Sequence, residues 1–147
     1  MKSGADPRHT SRKLALSAIF CWLFTEPNIE ESISLSRETL ETNDTDVDEN
    51  LVKFIVDGVK AHTRELDKII EECAPEWPLD KIAKVDLVIL RIAIFEILYG
   101  KKAPLKVAID EAVEMAKEFG NDTSHKFVNG VLGTVVEKYV EKDKTNE

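Results

Sequence analysis

Asp110, Glu111 and Glu114 put three carboxylates close together, and Asp110 and Glu114 stand at i and i+4, side by side if the segment is helical. Such a pair suits a divalent cation or general acid–base work. The competing reading is a solvated face near a helix start, where acids are favoured. It is preferred, because no partner motif accompanies the group. The chain has no Gly-rich phosphate loop, no G-x-S-x-G, no H-E-x-x-H and no C-x-x-C. His9, His62 and His125 fall in separate segments without ligand spacing, so no metal is expected. Cys21 and Cys73 make no disulfide framework, and Cys21, inside an apolar run, reads as a small core residue. Neither an enzyme nor a cofactor is expected.

Two other features could bind a partner. Arg91 interrupts the apolar run V-I-L-R-I-A-I-F-E. It fits a structural arginine, snorkelling or paired across helices, as well as it fits a partner contact. Lys126 and Phe127 sit near a predicted helix start. Phe127 alone would be core by default, but a base beside an aromatic, where free N–H groups can meet phosphate, also describes an RNA contact.

These residues must be placed by helices. Apolar spacing is 3 or 4 almost throughout the 147 residues, and no alternating pattern persists. Thr10 or Ser11 is expected to cap a first helix to about Phe24, broken by Pro27. A second helix is expected at roughly Ile29 to Thr42, then a turn at Asn43-Asp44-Thr45. Asp46 or Asp48 should cap a third helix through Val59, with a separate one from Arg64 to Cys73. Pro75 and Pro78 punctuate a connection containing Trp77. A short helical turn from Asp80 follows. Asp86 is read as the N-cap of an apolar helix to Tyr99, closed by Gly100. Pro104 opens the next helix, which Gly120-Asn121 stops. Thr123 or Ser124 caps the last one, in which Gly130 suggests a close packing contact, and the tail after Tyr139 should fray. The fold class is all-α: about seven helices in two small packed bundles, about 8–74 and 78–140, within one domain.

Composition fits such a domain. Apolar residues make up 43% and charged residues 33% of the chain, which suits a soluble protein. No window approaches the ~18 apolar residues of a membrane span, and no apolar signal segment precedes Leu14, so the cytoplasm is expected. The net charge of −8 argues at first sight against nucleic acid. Its distribution is uneven: residues 1–13 carry +3, residues 26–76 carry −10 and the remainder −1. A small basic pole beside an acidic flank could bind RNA on one face, with strong salt dependence.

Three blocks, in order, are more specific: I-L-R-I-A-I-F-E, V-A-I-D-E-A-V-E-M-A-K-E-F-G and S-H-K-F-V-N-G-V-L. They resemble the NusB family, and R-K-L-A-L-S-A-I-F-C-W agrees more loosely. The resemblance implies an all-helical fold of two small bundles without catalysis. It implies binding to boxA RNA of nascent transcripts, especially ribosomal RNA leaders, together with NusE, a small-subunit ribosomal protein. The two would serve in an antitermination complex on RNA polymerase. The implied RNA face comprises Arg8, Arg12 and Lys13 with Thr123, Ser124, Lys126 and Phe127. The implied NusE face includes Phe20 and Asp86, with Arg91 a weaker candidate. Relatives include monomers and homodimers. The chain departs from the family in a sparser N-terminal basic cluster, which points to weak binding alone, and in Thr123, where some relatives carry an acid. The competing reading is a helical interaction module whose acidic middle recruits a basic ribosomal-protein partner without specific RNA recognition.

Overall fold

The computed structural model describes residues 6–25, 30–31, 33–34, 36 and 47–141. Much of the expected second helix, the expected turn at 43–45, the expected Asp46 cap and the tail past Glu141, expected to fray, lie outside the described residues. Among the described residues there is no strand, and five α-helices are delimited: α1 (Pro7–Thr25), α2 (Glu49–Cys73), α3 (Lys84–Ile94), α4 (Leu105–Phe119) and α5 (Ser124–Val135). A 3-10 turn at Leu79–Lys81 and π-helical turns at Phe95–Gly100 and Val136–Glu141 complete them. The chain forms two compact units, Met1–Asp57 and Gly58–Glu147, so the division falls inside α2 and not at the Pro75 connection.

In the first unit, α1 begins earlier than expected. Asp6 Oδ1 accepts the Arg8 N–H at 3.0 Å and Pro7 occupies the first helical position, where its missing N–H costs nothing. The expected cap Ser11 is instead buried. Its hydroxyl donates to the Pro7 carbonyl at 2.6 Å and accepts the Asp48 N–H at 2.7 Å, which ties α1 to the entry of α2. Asp48 caps α2 as expected, its Oδ1 accepting the Leu51 N–H at 3.1 Å. The two helices expected over this stretch are one. Nothing between Val59 and Arg64 breaks the backbone, and Thr63 returns its hydroxyl to the Val59 carbonyl at 2.7 Å.

The second unit is built around α3. Every residue from Asp86 to Ile94 is buried, as a helix apolar on all sides requires. Helices α4 and α5 pack on α3 and on each other. The α3 run does not close on Gly100. Its π turn ends at Lys101, which adopts the left-handed conformation (φ 55°) while its N–H bonds the Glu96 carbonyl at 2.9 Å. At the far end of α5, the Tyr139 hydroxyl donates to Glu72 of α2, an acceptor that pushes the phenol up to about 12.

Gly130 is exposed, and among the described residues no neighbour lies where a Cβ would touch it, so the close contact expected there is not formed among them. The glycine that permits close packing is Gly58, where a Cβ would overlap the buried Phe95 ring. Alanine there would gain about 1 kcal/mol of helix propensity, but displacing an enclosed ring costs more. Gly58→Ala is therefore expected to lower stability by a net ~1–2 kcal/mol, measurable by urea unfolding.

Candidate nucleic-acid interface

Helix α5 starts from a compact hydrogen-bonded turn. Asn121 Oδ1 accepts both the N–H and the hydroxyl of Thr123, each at 2.9 Å, while Ser124 Oγ accepts the Asn121 N–H at 3.0 Å. Gly120 makes this possible, because a Cβ there would overlap the Ser124 side chain. The turn leaves Thr123 and Lys126 exposed and Phe127 half-buried. Ser124, expected on the RNA face, is only 1% exposed and serves as framework. Helix starts leave N–H groups without intrahelical partners, so an anion is favoured at this end.

Beside the turn lies a cavity of about 190 Å³, lined among others by Trp77, Lys81, Asp86, Asn121, Thr123 and Phe127. Its aromatic wall is an edge-to-face pair, Trp77 and Phe127, with ring centroids 6.1 Å apart and planes at 73°. Trp77 is 49% exposed, held in the Pro-punctuated turn by its N–H to the Ala74 carbonyl at 3.0 Å. In the sequence Trp77 stands only as part of a connection. An aromatic between two prolines, with no apolar periodicity around it, was the available signal. Lys81 and Asn121 carried none.

Asp86 is the third residue of α3 and not its N-cap, which is Ala83. The apolar stripe opened by Ile82 and Val85 draws the helix start back and carries Asp86 inside, to 5% exposure. It lines the cavity of Thr123 and Phe127 instead of standing on an open partner surface. Among the described residues its Oδ1 has no hydrogen-bond partner. Burial pushes its carboxyl above the ordinary aspartate range, against a smaller opposing effect of the Ser124 hydrogen bond. A carboxyl raised in the folded state carries no penalty while both states are protonated. The penalty grows as pH rises through the unfolded value and is complete above the folded one. Asp86→Asn is therefore expected to stabilise the protein at pH 7 by about 1 kcal/mol, an advantage that shrinks as pH falls toward the ordinary aspartate value. Thermal melts of both proteins across pH 3–7 measure it.

The remaining expected residues divide between the units. On α1, Arg8 is exposed and paired with Asp6 at 3.1 Å, which holds the Asp6 carboxyl below its ordinary range. Arg12 is 3% exposed and Lys13 half-buried, so Arg8 is the most open of the three cations. Phe20 is half-buried and meets the exposed Phe24 edge-on at 4.9 Å. Arg91 resolves toward its structural alternative: it is buried, and its Nε and Nη2 donate to Asp67 of α2 at 2.8 and 3.0 Å. A guanidinium committed in this way is not a surface partner contact. The carboxylates of α4 are also paired locally, Asp110 with Lys106 at 2.9 Å and Glu114 with Lys117 at 3.5 Å. Among the described residues, no helix is long and apolar enough to cross a membrane.

The NusB family profile matches residues 9–137. The transcription antitermination protein NusB of Roseiflexus castenholzii is 44% identical over 144 residues, covering 95% of this chain and 99% of that protein. Its counterpart in Chloroflexus aggregans is 42% identical over 147 residues, covering 97% and 95% respectively. A solved structure of the antitermination factors NusB and NusE in complex with dsRNA superposes with a TM-score of 0.78 at 26% identity, covering 90% of this chain and 97% of the matched one.

Proposed function

The chain belongs to the NusB family, and on that premise we propose that it is a cytoplasmic transcription antitermination factor. It binds boxA RNA of nascent transcripts together with NusE, within an antitermination complex on RNA polymerase. The observation that carries the reading is the start of α5, where Lys126 is exposed beside the half-buried Phe127 and the exposed Trp77. A cation for phosphate and aromatic faces for unstacked bases are what single-stranded RNA requires. The sparse basic complement makes RNA affinity modest alone, and NusE supplies the additional contacts.

For NusE, the Phe20–Phe24 pair of α1 is the candidate anchor, since aromatic side chains dominate interface energetics. Size-exclusion chromatography with light scattering, on the protein alone and mixed with purified NusE, tests this. One complex of summed mass, lost in Phe24→Asp, is the expected result; two separate species at micromolar concentration would remove NusE from the proposal. The same run reports whether the free protein is a monomer or a homodimer. The competing reading, an interaction module without RNA recognition, draws on the −10 charge of residues 26–76. It requires NusE binding without any preference for boxA.

A further inference from the structure

We propose that the cavity between the Pro-punctuated turn and the start of α5 takes a single unpaired nucleobase and that Asp86 selects one bearing an exocyclic amino group. The inference rests on the RNA-binding reading above and adds a specificity-determining residue to it. Three observations converge. The cavity, about 190 Å³, is smaller than the pockets that hold drug-sized ligands and matches a ligand the size of one base. Its wall presents the faces and edges of Trp77 and Phe127, and every base has a π-face to place against them. Asp86, 5% exposed and carrying a carboxyl oxygen with no hydrogen-bond partner among the described residues, belongs to its lining.

That oxygen decides the chemistry. An unsatisfied buried acceptor is a cost in the unliganded fold, and a ligand donor placed against it removes the cost. Adenine, cytosine and guanine offer an amino group on the pairing edge. Uracil offers carbonyl oxygens at the corresponding positions, which a carboxylate repels. Pockets built to hydrogen-bond a group discriminate strongly against analogues that lack it, because their own polar atom is then left unpaired. Lys81 is among the lining residues and Lys126 is exposed in the first turn of α5, so cations are at hand for the flanking phosphates of an inserted nucleotide.

The test uses the full chain with boxA RNAs in which each amino-bearing base is exchanged, one at a time, for its counterpart lacking the amino group: inosine for guanosine, purine riboside for adenosine, pyrimidin-2-one riboside for cytidine. Wild type should lose about tenfold in affinity at one position, and Asp86→Leu should show no loss at that position. Trp77→Ala, at an exposed site that does not threaten the fold, should weaken unmodified boxA about tenfold. Loss of preference for boxA over scrambled RNA in wild type would overturn the RNA-binding reading and this inference with it. Retained boxA preference with no sensitive position, or with the same penalty in Asp86→Leu, would overturn the inference alone. Should Asp86→Leu fail to fold, unchanged boxA affinity in Trp77→Ala would overturn it equally.

Discussion

Replacing Arg91 with alanine is expected to lower stability by about 3 kcal/mol, a fall in Tm of roughly 6–12 °C for a domain of this size. The guanidinium makes a two-bond pair with Asp67, and its side chain is 9% exposed against 21% for the carboxylate. Removing one member of a buried pair leaves the other desolvated without compensation, and that penalty exceeds what the pair contributes net. The partial exposure of Asp67 lets water recover some of it, which places the estimate at the low end. Arg91→Lys should fall between, since an ammonium cannot reproduce the planar fork. The folded fraction of Arg91→Ala should bind NusE as wild type does. A stable Arg91→Ala protein that has lost NusE binding would return Arg91 to the partner surface.

The second large effect concerns RNA. Phe127→Ala is expected to weaken boxA binding about tenfold, the contribution of one base–aromatic stack. Lys126→Ala should weaken boxA and scrambled RNA alike and reduce the dependence of log K on log salt by about one unit. The two variants thus separate stacking from phosphate neutralisation. Phe127 also touches Trp77, so its removal should cost some stability, about 1 kcal/mol. Thermal melts are the necessary control. Unchanged boxA affinity in Phe127→Ala would mean that the ring supports the turn without meeting a base.

The sequence made the helices of the second unit legible because their cores are periodic and their stops are chemical. Gly120 ends α4 where its apolar stripe ends, and α3 announced itself as a helix buried on all sides. The errors came where local chemistry had two solutions. Asp86 has the side chain of an N-cap, yet burial of its neighbours carried it one turn inside. Ser11 looks like a cap and is instead a buried framework hydroxyl, while at the start of α5 Thr123, the other expected candidate, holds the N-cap position and Ser124 is buried behind it. The two helices expected on either side of residues 60–63 are one 25-residue helix.

The site was half legible for a different reason. Lys126 and Phe127 stand together in the chain, so their joint chemistry could be read directly. Trp77 and Asp86 come from a turn and a helix far upstream of Phe127, and only the fold brings them to one cavity. The pairing of Arg91 with Asp67, across 24 residues, was beyond spacing arguments in the same way. A lone charge in an apolar run signals that a partner exists without saying where.

The most direct test of the account is fluorescence anisotropy of labelled boxA RNA with this protein at near-physiological salt, with and without NusE, beside a scrambled RNA of equal length. Weak binding that favours boxA, strengthened when NusE is present and reduced in the Lys126→Ala/Phe127→Ala double variant, is the expected result. Equal affinity for boxA and scrambled RNA, with NusE present, would contradict it and leave a helical module that binds a ribosomal protein without reading RNA.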